Sequence, residues 1–203
     1  MDSRGCERQA SERACYSERV VFRALLFISL LTPAFAESKL QKEITMIAAE
    51  AQGKVSVACS LPGFKLDCNL HARYRPPMQS VFKFPLVMAA MQRIEKGEFQ
   101  IDQPIRFLPA DRILPRTYSP LQDKYPEAGV EIPLRELLRL AVSLSDNTAA
   151  DILLRILGGP ARISDYIRSL GVRGFHLEDG EAALHRDANA QYRNWFEPLA
   201  AVQ

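Results

Sequence analysis

The order of elements predicts an α+β fold: one amphipathic helix, one β hairpin, then mostly helices. Three observations carry that reading. Apolar residues recur at helical spacing in 39–51, around 134–141 and again in 148–157 and 160–170. β-like runs are confined to 54–60 and 64–72, joined at Pro62-Gly63. Proline and glycine then punctuate the junctions, which separates elements rather than extending them. The 203 residues suit one domain, or two small lobes around one core. At 47% hydrophobic and 25% charged, the composition is that of a globular protein, not a disordered one.

Taken in order, Arg23 precedes the apolar run 24–31, which is followed by Thr32-Pro33 and Ala34-Phe35-Ala36. A positive residue, a short apolar run, a breaker and an Ala-x-Ala site are the parts of a secretory signal peptide. The run is too short to cross a bilayer, which takes about 20 apolar residues. Residues 1–36 are therefore set aside as leader and signal, and a periplasmic protein is expected. The 39–51 helix places Leu40, Ile44, Ile47 and Ala48 on one stripe. The turn at Pro62-Gly63 sets Cys59 and Cys68 roughly opposite each other. They form either a cross-strand disulfide, which an exported chain permits, or two buried free thiols.

Arg75-Pro76-Pro77 breaks regular structure, and a helix is expected from about Ser80 to Lys96, closed by Gly97. Pro85 is tolerable near its start, where amides lack intrahelical acceptors. Residues 104–131 read as loop. Pro133 suits the first position of a helix burying Leu134, Leu137, Leu138 and Ala141. Helices over Thr148–Leu157 and Pro160–Leu170 end at Gly158-Gly159 and Gly171. Residues 174–190 read as irregular, and a last helix is expected from near Trp195 to Gln203.

Charge excludes some function classes. Lysine and arginine number 26 against 24 aspartates and glutamates, a net charge of +2, so there is no nucleic-acid footprint. No run of five or six like charges suggests a membrane-surface tail. His71, His176 and His185 lack metal-ligand spacing, and no Cys-x-x-Cys occurs, which disfavours a zinc hydrolase.

The residues that could carry chemistry begin with Ser80-Val81-Phe82-Lys83. On a helix, Ser80 and Lys83 share a face one turn apart. A partly desolvated lysine there can act as a base for the hydroxyl. Alone the pattern is weak, since it arises by chance roughly once per 250 residues at ordinary composition. Ser145-Asp146-Asn147 is more specific: a given tripeptide of this kind is expected in about 3% of chains this long. Asp146 would also cap the following helix. In the functional reading Ser145 relays a proton and Asn147 binds a substrate amide.

These two motifs together resemble class A serine β-lactamases and penicillin-binding proteins. Gln79–Pro85, Thr117-Tyr118-Ser119-Pro120, Val142–Thr148 and Gln191-Tyr192-Arg193-Asn194-Trp195 are similar to segments of the branch that hydrolyses extended-spectrum cephalosporins. The likeness runs from about Glu37 to Gln203. It implies a helical lobe and a helix-flanked antiparallel-sheet lobe. Residues 37–77 would open the sheet lobe and 78–203 would form the helical one. It implies Ser80 as nucleophile, Lys83 and Ser145 as proton carriers, and Asn147 and Tyr118 as substrate-binding residues. Glu181 falls where the family holds the carboxylate that activates water against the acyl-enzyme. His185 stands where many members have asparagine. The implied substrate is a small β-lactam, the implied state a monomer, and no metal or organic cofactor is implied.

No Lys-Thr-Gly or Lys-Ser-Gly follows residue 195. The resemblance places that motif on a strand supplying one oxyanion-hole amide, whose loss costs about a hundred- to a thousandfold in rate. A chain incomplete at its C terminus is therefore expected, with turnover an open matter. Two other readings stand beside it. A D,D-peptidase acting on peptidoglycan would use Ser80, Lys83, Ser145 and Asn147 but not Glu181. A non-catalytic remnant would use none of them.

Overall fold

The computed structural model describes residues 38–203, so the leader with Cys6 and Cys15, and the proposed cleavage segment, lie outside the described residues. The core is built around one nearly engulfed helix. Asn147–Leu157 (α5) buries Ala149, Ala150, Ile152, Leu153, Leu154 and Leu157, because apolar residues occupy most of its circumference. Asp146 caps it by accepting from the Ala149 amide, and Gly158 ends it at φ 92°, a left-handed conformation that glycine takes without a Cβ penalty.

Three of the helices that pack on α5 supply most of the core. Lys83–Glu95 (α2) buries Leu86, Ala89 and Ala90. Leu134–Ser143 (α4) buries the expected stripe of Leu134, Leu137, Leu138 and Ala141, together with Leu140. Pro160–Ser169 (α6) buries Ile163 and Ile167. Each leucine so covered stabilises the fold by about 1.5–3 kcal/mol relative to exposure.

Several boundaries differ from expectation, each for a local reason. The segment bearing Ser80 opens as a 3-10 turn, Gln79–Phe82, and becomes α-helical only at Lys83. Pro85 thus lies in the first α-turn, where its absent N–H removes no hydrogen bond. Residues 104–131 are more ordered than a loop. Pro104–Arg106 (β1) pairs antiparallel with Glu131–Pro133 (β2), so Pro133 ends a strand rather than starting a helix. Between them Ser119 caps a short helix, Pro120–Lys124 (α3).

The 174–190 stretch holds Phe175–His176 (β3) and a six-residue helix, Glu181–Arg186 (α7). The expected helix from Trp195 is absent there. Trp195–Phe196 (β4) pairs with β3, and the helix is only Pro198–Ala201 (α8). Pro198 explains this, since a proline disfavours helical backbone in the residue before it. Phe196 also gains an edge-to-face contact with Phe175, centroids 5.0 Å apart.

The N-terminal part is the least covered. Lys39–Ala49 (α1) is helical as expected and is capped by Ser38, but none of its residues is buried. Ile47 is 71% exposed. The hairpin is reduced to bridges at Val57–Leu70 and Leu61–Phe64, as befits two strands with no neighbour among the described residues to extend the ladder. Of the two possibilities for the cysteines, the structure has the disulfide Cys59–Cys68. No described helix is long and apolar enough to cross a membrane.

Candidate active site

The site begins with two strained residues on facing segments. Gln79 (φ 48°) precedes Ser80, and Ser145 itself has φ 54°. Such backbone costs about 1–3 kcal/mol per residue and persists only where neighbours impose it. At Ser145 the neighbour is Asp146, which is fully buried. Its carboxylate accepts from Ser119 Oγ at 2.9 Å, the Leu121 amide at 2.6 Å and the Ala149 amide at 2.9 Å. Asp146 therefore bolts the Ser145 loop to both the Tyr118–Pro120 segment and the start of α5. At Gln79 the neighbour is the 191–195 segment. Gln79 Nε2 donates to Gln191 Oε1 at 2.7 Å, and the Met78 amide donates to Asn194 O at 3.1 Å.

Lys83 is only 2% exposed, and its ammonium is the hub. Nζ donates to Ser145 O at 2.7 Å, Ser145 Oγ at 3.1 Å and Asn147 Oδ1. An ammonium has three protons, so these acceptors exhaust it. Glu181 Oε1 nevertheless stands 3.0 Å from Nζ, in a carboxylate that is 5% exposed. This explains why that oxygen is ion-paired yet lacks a hydrogen bond of its own. It faces the ammonium as a charge, with its acceptor capacity unspent.

Ser80 is exposed and lines, with Lys83 and Ser145, a cavity of about 660 Å³ walled by Phe84, Met88 and Phe196. Three separate segments thus supply Ser80 and Lys83, Ser145 and Asn147, and Glu181. Tyr118 is joined through its backbone, its carbonyl accepting from the Asn147 amide at 3.4 Å, while its side chain is 58% exposed. His185 brings Nε2 to 3.3 Å from Asn147 Nδ2 and 3.7 Å from Glu181 Oε2. Because Asn147 Oδ1 is committed to Lys83, Asn147 presents its NH₂ group to the imidazole. Nε2 then accepts, and the ring proton belongs on Nδ1.

Three braces hold the Glu181 loop. Asn194, 1% exposed, accepts the Glu178 and Asp179 amides on Oδ1 at 2.9 and 3.0 Å and donates Nδ2 to Asp179 O at 2.8 Å. Arg193 Nε donates to Asp179 at 2.7 Å and Nη1 to Asp187 at 3.1 Å. Those hydrogen bonds raise the arginine further above its ordinary value. The Asn189 amide, then Arg193, hold Asp187 below its usual range. Third, Asp151 accepts the Glu181 and Ala182 amides, each at 2.8 Å. Burial pushes the Asp151 carboxyl up to about 6, against the lowering effect of those amides. None of these braces was picked out beforehand. Asp151 had one visible signal, an acid between Ala150 and Ile152 in an otherwise apolar helix.

A helical core that turns Ser80, a buried lysine and Ser145 toward one cavity, with Asn147 and a buried glutamate against that lysine, is an arrangement that can support acyl-transfer chemistry. The chain matches the beta-lactamase enzyme family over residues 39–202 and belongs to it. It is 35% identical over 181 residues to a beta-lactamase of Bacteroides uniformis, covering 88% of this chain and 60% of that protein. It is 34% identical to the extended-spectrum beta-lactamase PER-1 of Pseudomonas aeruginosa, covering 83% and 54%. Among solved structures, a beta-lactamase from Chitinophaga pinensis superposes with a TM-score of 0.75 at 38% identity, covering 80% of this chain and 60% of that one. The TLA-3 extended-spectrum beta-lactamase gives 0.76 at 34%, covering 81% and 59%. The α+β fold is therefore that of class A β-lactamases, of whose length this chain spans about three-fifths.

Proposed function

We propose that the chain carries the catalytic machinery of an exported serine β-lactamase that opens penicillins and cephalosporins through an acyl-enzyme. Ser80 Oγ attacks the lactam carbonyl, and its proton passes to Lys83, or to Glu181 through a water. The carbon–nitrogen bond breaks as Ser145 hands a proton to the leaving nitrogen. Asn147 and Tyr118 bind the substrate. Glu181 then takes a proton from water, the hydroxide attacks the ester, and Ser80 leaves with its proton restored. Residues 1–36 direct export to the periplasm and are removed. Residues 37–77 open the sheet lobe, 78–203 form the helical lobe, and the protein acts as a monomer.

One observation carries this reading over a D,D-peptidase: the buried Glu181 carboxylate, 3.0 Å from Lys83 Nζ with acceptor capacity to spare. A peptidase that releases its acyl group to an amine has no use for such a base. The test is intact mass spectrometry of the purified protein with excess cephalosporin, beside Ser80→Ala. A Ser80-dependent adduct that decays as antibiotic is consumed is expected. An adduct that persists would turn the assignment toward the peptidase, and no adduct at all would refute it.

A further inference from the structure

We propose that His185 is a positioning residue that makes deacylation sensitive to acid: on taking up a proton, its Nε2 turns from Asn147 to Glu181 and occupies the carboxylate that activates water. This rests on the deacylating reading of Glu181. Lys83 fixes the neutral arrangement. It spends its three protons on Ser145 O, Ser145 Oγ and Asn147 Oδ1. Asn147 therefore cannot turn over, because its NH₂ group would then face an ammonium. Nδ2 is held toward His185 Nε2, 3.3 Å away. Glu181 Oε2, one turn earlier on α7, lies 3.7 Å from the same nitrogen, beyond hydrogen-bond reach. The neutral ring accepts from Asn147, and Oε2 keeps no hydrogen bond among the described residues.

Protonation inverts this. An imidazolium is a donor at both nitrogens. Nε2–H against the Asn147 NH₂ group sets two donors face to face, and the nearest acceptor is Glu181 Oε2. A movement of about 1 Å brings that pair to the length of a charge-assisted hydrogen bond. Glu181 then stands between two cations, Lys83 at Oε1 and His185 at Oε2. Opposite charges hold a carboxylate in its ionised form, so Glu181 becomes the weaker base. Its second oxygen is also lost to water.

Histidine is the side chain whose charge ordinarily changes between pH 5 and 8, and this one is 38% exposed, open to protons from solvent. The charged groups around it come from three helices and one loop. α2 contributes Lys83, and α7 contributes Glu181 and the exposed Arg186. Asp187 follows α7 and is paired with Arg193. α5 contributes Asp151, which holds the Glu181 amide and which burial raises to about 6. Two groups thus titrate in one window, and substitution of His185 separates them.

The test combines imidazole nitrogen-15 spectra with adduct kinetics using nitrocefin, from pH 5 to 8, on the whole protein and on His185→Asn. An asparagine offers an acceptor at every pH and takes up no proton. The imidazole signals lost in the variant are those of His185. Its neutral ring should carry the proton on Nδ1, and acid should add one at Nε2. A neutral ring protonated at Nε2 would overturn the proposal whether or not an adduct forms. Adduct decay in the wild type should slow on the order of tenfold per pH unit below the His185 midpoint, as loss of a base through one proton requires. In His185→Asn the slowing across the same interval should stay within about threefold. Parallel profiles in the two proteins would overturn the switch. If the unsubstituted protein forms no adduct, the β-lactamase reading fails, and the position of the ring proton still decides the contact. If His185→Asn does not fold, His71→Gln and His176→Gln assign the His185 signals by elimination, and the same spectra decide.

Discussion

Replacing Lys83 by methionine isolates what the buried ammonium does for the fold. Methionine keeps the unbranched stem in its packed position and removes the charge. Glu181, 5% exposed, is then left without its cation, beside a neutral His185 at 3.7 Å, and Ser145 O and Asn147 Oδ1 lose their donor. Breaking one partner out of a buried pair destabilises by about 3–5 kcal/mol. Coulomb's law gives the same scale: at the observed 3.0 Å and an effective dielectric of 20, the attraction is about 5–6 kcal/mol. Removing both charges should be much milder, because Lys83→Met with Glu181→Gln leaves no uncompensated ion. Urea unfolding of the wild type, both single variants and the double variant completes the cycle. A coupling of about 2 kcal/mol or more is expected, insensitive to salt because the pair is shielded from solvent. The reasoning fails if Lys83→Met costs under about 1 kcal/mol, or if the double variant equals the sum of the singles.

The remaining expectations follow from the same geometry. Asp151 has a folded-state value of about 6 against an ordinary 3.8, so the folded chain holds its proton more tightly than the unfolded one. Its contribution to stability is complete below about pH 4 and is lost as pH rises through 6, ionisation costing about 3 kcal/mol. Denaturation midpoints at about pH 4.5 and 7 should therefore differ less in Asp151→Asn than in wild type, and equal slopes would refute the assignment. Asn194→Ala strips three backbone bonds from the loop and should destabilise by about 2–4 kcal/mol, with proteolysis first appearing within 178–187. Leu137→Ala, at a fully buried position, should cost about 2–5 kcal/mol, whereas Ile47→Ala on exposed α1 should stay within about 0.5. Thermal melts of the two variants side by side check that contrast. Reducing Cys59–Cys68 should cost about 2–3 kcal/mol, the entropy of closing a loop of that length, read from melts with and without reductant.

The helices were legible because each leaves a local trace: a 3.6-residue stripe, a cap at Asp146, a glycine stop at Gly158. The strands were not. β1 with β2 and β3 with β4 are pairs of two or three residues whose partners lie far along the chain, and so short an alternation cannot be told from loop. Pro198 could have excluded a helix from Trp195, and that signal was overlooked. At the site, Ser80, Lys83, Ser145 and Asn147 stood out by motif, and Glu181 by its spacing in a family pattern. What the pattern could not carry was the wiring between them. That Lys83 spends its three protons on Ser145 and Asn147, leaving Glu181 paired by charge alone, depends on distances between remote segments.

The two halves of the site are held by different physics. Lys83, Ser145 and Asn147 sit at the ends of α2, α4 and α5, whose faces interlock through Leu86, Leu137, Ile152 and Leu153, all fully buried. Moving them means opening the hydrophobic core. Glu181 rides on a six-residue helix whose braces are polar: Asp151 beneath it, Asn194 and Arg193 at the base of its loop. Regions stabilised that way open at lower free energy than the core does. A mild loss of those braces by substitution should disturb Glu181 while Lys83 and Ser145 keep their geometry. On the proposed mechanism that separates acylation from deacylation. The protein would then trap its substrate before it lost the ability to react with it.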